Sequence, residues 1–137
     1  MKRLASSLLL FTTIITTAQD RLWSDLPTAR ATQLPGERRI VPERARTLRL
    51  DTEGLRSFLA TVPVGELSEV AGAASALQLP LPEGGFAAFR ILEVPVMHPE
   101  LQARYPMIRS YTGVGLEDGA LLKMDFTPHG FHAMVLS

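Results

Sequence analysis

The chain carries three histidines, His98, His129 and His132, and no cysteine. Without thiols, disulfides, thiolate metal sites and cysteine nucleophiles are excluded. His129-x-x-His132 is the spacing that most invites a metal. It falls where Pro128 and Gly130 turn the chain into a strand, so the two rings point in different directions, and no third ligand lies nearby in sequence. A structural or surface role is expected for both. Ser110, Asp125 and a histidine have the composition of a hydrolytic triad, but no G-x-S-x-G elbow frames the serine. Glu83-Gly84-Gly85 lacks the lysine and following helix of a phosphate loop. Glu100 and Glu117 read as solvated, and Tyr105, Tyr111 and Phe131 as core or hairpin-face residues.

The elements that must position these groups can be read from periodicity. Thr47 to Asp51 alternates as a half-buried strand. Asp51 and Thr52 then offer N-caps for a short amphipathic helix over 52–61. Leu55, Phe58, Leu59 and Val62 form its apolar stripe, and Pro63 stops it. Gly54 is a weak point, worth about 1 kcal/mol against alanine. Residues 66–76 read as a loop or irregular turn, with a helix as the alternative. Leu77 to Leu81 is a short extended piece placed at a sheet edge by Pro80 and Pro82. A turn at 83–85 leads into a strand from Phe86 to Val94, and His98-Pro99 opens one helical turn.

Ile108 to Val114, Ala120 to Phe126 and Phe131 to Leu136 read as three strands joined by tight turns. The Asp118-Gly119 dipeptide marks the first turn and Pro128-His129-Gly130 the second. On the middle strand Leu121, Lys123 and Asp125 alternate with Leu122, Met124 and Phe126. The predicted fold class is therefore α+β: a short amphipathic helix and an antiparallel meander, mostly β in the C-terminal half.

At 137 residues, with 14 basic and 14 acidic side chains, the chain fits one modest domain. Zero net charge gives no overall attraction to nucleic acid. Arg38, Arg39, Arg44, Arg46 and Arg49 cluster, but no aromatics interleave them, and a solvated strand approach is the expected reading. At the N-terminus, Met1-Lys2-Arg3 precedes an apolar run to Ile15 and the small residues Thr16-Thr17-Ala18. This is the layout of a signal peptide over 1–18, cleaved between Ala18 and Gln19, and the apolar run is short for a membrane span. A secreted or extracytoplasmic location follows, without membrane attachment after cleavage. Residues 19–39 read as a partly flexible extension, in which Trp23 and Leu26 could dock as an anchor. Residues 40–137 form the folded module.

Five blocks of this module together resemble a family. They are Leu50-Asp51 with Leu55, Leu59 and Pro63; Leu79-Pro80-Leu81-Pro82 with Gly84 and Phe89; Val96 to Pro106, reading VMHPELQARYP; Ile108 to Gly113; and Asp125-Phe126-Thr127-Pro128 with Gly130 to Met134. Their order resembles the prodomain-like region that follows the signal peptide of secreted bacterial reprolysin-like zinc metallopeptidases. The family's catalytic motif, H-E-x-x-H-x-x-G-x-x-H, is not in this chain.

The resemblance implies a non-catalytic propeptide-like module with no cofactor of its own, the zinc belonging to a protease domain that would continue past Ser137 or act in trans. It implies folding assistance or masking as the activity. Asp125 and His132 are the residues it offers as zinc-masking ligands, in place of the cysteine that this chain lacks. The competing reading of the residues has Asp125 flanking a strand and His132 packing beside Phe131. A free-standing extracellular module that binds through exposed strand edges is the alternative function.

Overall fold

The computed structural model describes residues 22–27 and 42–136. The expected signal peptide, most of the 19–39 extension and the Arg38-Arg39 pair lie outside these residues. The fold is α+β. Strands β1 (Trp23–Asp25) and β2 (Leu48–Leu50) form an antiparallel ribbon. Helix α1 (Thr52–Leu59) and a 3-10 helix (Leu67–Gly72) follow. Strands β3 (Ala76–Pro80), β4 (Phe86–Glu93), β5 (Arg109–Gly115), β6 (Leu121–Thr127) and β7 (Gly130–Leu136) make one antiparallel meander in sequence order. Helix α2 (Pro99–Arg104), opened by Pro99, bridges β4 and β5. Among the described residues no helix is long and apolar enough to cross a membrane.

Alternation along the strands sorts the side chains onto two faces. One face carries Leu77, Leu79, Phe89, Ile91, Tyr111, Leu122, Met124 and Phe126, all buried. Leu55 and Leu59 of α1, with Val62 and Leu22, complete this core. The helix starts where expected: the Asp51 carboxylate accepts from the Gly54 amide at 3.0 Å. Gly54, weak by propensity, has a packing reason. A Cβ there would strike the Asp51 carboxylate and lie 3.0 Å from Leu22.

The 66–76 segment departs from the preferred loop reading. The Glu69 carboxylate accepts from the Glu66 amide at 2.8 Å, and Val70 and Ala73 are buried against Leu92. These contacts wind Leu67–Gly72 into the 3-10 helix, which lies on the second face of the sheet over β4 and β5. Arg90 fastens it by donating to the Ala73 carbonyl at 2.9 Å.

The segment around Trp23 is ordered as a strand rather than a tail. Leu22 is buried, the Asp51 amide donates to its carbonyl at 2.8 Å, and β1 pairs with β2. Arg46 ties the ribbon to the β3–β4 turn. Its guanidinium pairs with Asp25 at 2.8 Å, donates to the Gly85 carbonyl at 3.1 Å and lies over the Phe86 ring. The Arg46 hydrogen bond holds the Asp25 carboxyl below the usual aspartate range. Arg44 meets Glu83 at 3.5 Å with both side chains exposed and adds little, so it is Arg46 that ties the ribbon into the fold.

Trp23 does more than anchor the ribbon. Its indole Nε1 donates to the Gln78 carbonyl on β3 at 3.1 Å, while its ring lies 5.8 Å from that of Phe131 on β7. At about 4.8 Å per strand, the outer strands of a flat five-stranded sheet lie about 19 Å apart. One indole cannot meet both edges of such a sheet, so this sheet is curled, with Trp23 on its concave side. Trp23→Ala is expected to lower stability by about 3 kcal/mol, and Trp23→Phe, which keeps the ring but not the donor, by about 1 kcal/mol. Urea unfolding followed by circular dichroism checks this; an alanine variant as stable as the parent would contradict the role given to the indole.

Candidate functional site

The second face of the sheet is only half covered. The 3-10 helix shields Leu92, with Val94 and Val114 packed beside it. Towards β6 and β7 the same face presents Ser110, Thr112, Lys123, Asp125, His132 and Met134 around a shallow depression of about 310 Å³.

Register brings three of these residues into one row. Ser110 lies opposite Asp125 across β5–β6, and Asp125 opposite His132 across β6–β7. The two residues singled out for zinc masking are therefore neighbours, with His132 Nδ1 3.3 Å from Asp125 Oδ2. An ionised carboxylate only accepts, so Nδ1 carries the proton in the neutral ring, and Nε2 keeps its lone pair. Both side chains reach solvent, at 65% exposure for His132 and 42% for Asp125. An exposed pair of this kind contributes at most about 1 kcal/mol to stability. Beside it Lys123 Nζ donates to the buried Thr112 hydroxyl at 3.0 Å.

The same row decides against triad chemistry. A serine hydrolase needs the imidazole between nucleophile and acid. Here the acid stands in the middle strand, and Ser110 and His132 lie two strands, about 10 Å, apart. The reading of His132 as packed beside Phe131 is also corrected. Successive strand residues point to opposite faces, and Phe131 pairs with Phe126 on the core side while His132 pairs with Asp125 on the open side.

His129 stays apart from the pair, in the turn, where its amide donates to Thr127 Oγ1 at 3.1 Å. Among the described residues no three His, Cys, Asp or Glu side chains converge as a metal cage.

A larger cleft of about 560 Å³ opens on the core side, between α1 and the ends of β5 and β6, lined by Leu59, Met107, Tyr111 and Phe126 with Arg56 and Arg109 at its rim. Its cations are already engaged. Arg56 pairs with Glu53 and covers the Phe126 ring, and Arg109 donates to the buried Glu93 carboxylate at 2.9 Å. Burial, reinforced by the nearby Glu93 charge, pushes the Tyr111 phenol above its ordinary pKa.

Lys123 and Thr112 belong to the site although sequence reasoning gave them no role. The alternation of β6 places Lys123 beside Asp125 on one face, which was signal enough for the lysine. Thr112 required the β5–β6 register.

Comparison of the chain with protein-family profiles, with curated proteins and with solved structures gives no match.

The Asp125 contact is expected to hold His132 as the Nδ1-protonated tautomer. Nitrogen-15 NMR of the imidazoles at neutral pH should show this, and Asp125→Ala should release the ring to a mixture of tautomers. A tautomer unchanged by that substitution would show that Asp125 does not orient the ring.

Proposed function

We propose that the chain is a secreted, non-catalytic propeptide-like module that assists the folding of, or masks, a reprolysin-like zinc metallopeptidase domain. The five sequence blocks that resemble that family's prodomain region support the reading, and one geometric observation carries it. His132 meets Asp125 through Nδ1 on the open part of the sheet face, with its side chain 65% exposed.

A catalytic zinc is held by three protein ligands and keeps its fourth position open for water or substrate. An imidazole offered at that position displaces the water that the reaction needs. Zinc-bound histidines characteristically pass their other ring nitrogen to a carboxylate, which fixes the ring and raises its basicity. Asp125 supplies that partner in advance. The exposed pair adds little to the fold, which accords with a role towards another molecule. Lys123, exposed beside it and steadied by the buried Thr112 hydroxyl, adds a polar contact for the rim of such a partner.

Adding the purified full chain to a reprolysin-like protease domain is expected to suppress peptide cleavage. His132→Ala should weaken the suppression by about 10- to 100-fold, and Asp125→Ala by about 10-fold. Absence of both inhibition and any effect on the protease's refolding yield would dispose of the proposal. The second reading, a free-standing extracellular interaction module, is favoured by one feature: β7 is an edge strand exposed along most of its length.

A further inference from the structure

We propose that β7 is a self-pairing edge, through which two copies of the chain join their sheets antiparallel into one continuous sheet. The proposal is independent of the zinc-masking reading.

The two edges of the meander are built differently. β3 ends in Pro80, which has no amide to donate, and Trp23 occupies the Gln78 carbonyl. Trp23 packs on Phe131 near the start of β7, but beyond it, among the described residues, β7 has none of the usual guards. It reads Gly-Phe-His-Ala-Met-Val-Leu, without proline, lysine or carboxylate, and its register with β6 runs unbroken from Thr127–Gly130 to Leu121–Leu136. Met134, Val135 and Leu136 are 56%, 44% and 48% exposed. A long, regular, apolar edge of this kind is a template for another strand.

The hydrogen-bond parity fixes which groups are free. The Gly115 amide donates to Ala120 O at 2.8 Å across β5–β6. Even-numbered β6 residues therefore bond to β5, and odd-numbered ones to their even-numbered partners on β7. The N–H and C=O groups of Phe131, Ala133 and Val135 point away from the sheet.

These residues choose the occupant and the register. A dyad at Ala133 keeps the whole of β7 paired and sets the small Ala133 opposite itself. Phe131 then faces Val135 of the second copy, and His132 faces Met134 of the second copy. On the open face the row Asp125–His132 runs on into Met134 and Lys123 of the second copy, so opposite charges lie at the two ends of one row and no like charges meet. The balance of 14 basic and 14 acidic side chains adds no net repulsion. A second copy is thus complementary to this edge in hydrogen bonding, size and charge.

The test uses the full chain. Sedimentation should give a mass about twice the 15.0 kDa of one chain, falling to the monomer on dilution. Val135→Lys, which puts a charge on the edge, should shift the species to monomer with an unchanged circular dichroism melt. The chain has no cysteine, so Ala133→Cys provides one thiol per copy. Opposed residues about 5.5 Å apart lie within disulfide reach, and mild oxidation should cross-link most of the chain, whereas Glu100→Cys, on exposed α2, should stay uncrosslinked. A monomer at every concentration, a dimer indifferent to Val135→Lys, an Ala133→Cys chain that cross-links no better than the Glu100→Cys chain, or a monomer that takes an extended peptide on β7 would each overturn the proposal.

Discussion

Trp23 donates to the Gln78 carbonyl and packs on Phe131, so one side chain holds residues from opposite edges of the five-stranded sheet. The rest of the architecture follows from this closure. A sheet curled around Trp23 has a concave side narrow enough to be filled by Leu22, Leu55, Leu59 and Val62. No disulfide is available to brace so small a domain. The seam contact, the Asp25–Arg46 pair and the Arg46–Gly85 hydrogen bond instead fasten the N-terminal ribbon to the sheet.

The same closure determines what is left open. Side chains alternate, so a strand that commits Leu122, Met124 and Phe126 to the concave core must turn Lys123 and Asp125 to the other face. The 3-10 helix covers that face only over β4 and β5. The polar row on β6 and β7 is a consequence of core packing, yet its content is not dictated by packing. Nothing in the core requires an acid opposite a histidine on the solvent side, and the pair adds little stability. This is why the Asp125–His132 contact is read as functional. In the proposed function, an imidazole aimed by a carboxylate, with no third ligand among the described residues, is completed by a partner's metal.

Much of the fold could be read from local pattern. Asp51 capped the helix as its position suggested, Pro80 marked an edge strand, and Asp118-Gly119 made a hairpin with Gly119 at φ +71. The alternation along β6 placed the core correctly. What stayed hidden depended on contacts distant in sequence. The value of Trp23 lies in partners 55 and more positions away, which no window of periodicity spans. The 3-10 helix is too short for a helical stripe to show, and its order comes from Val70 and Ala73 meeting Leu92. The candidate site was half legible. Asp125 and His132 were singled out by type, but their contact depends on register. A loop of two residues pairs Asp125 with His132, and a one-residue slip would have turned one of them to the core face.

The central claim is that this chain acts by offering His132 to a metal held by another folded domain. Cobalt substituted for zinc in a reprolysin-like protease domain reports its ligands directly through its visible spectrum. Addition of the wild-type chain should change the ligand-field bands as a nitrogen ligand enters, and the His132→Ala chain should leave them as they were. An unchanged spectrum with the wild-type chain, or the same change with His132→Ala, would contradict the account.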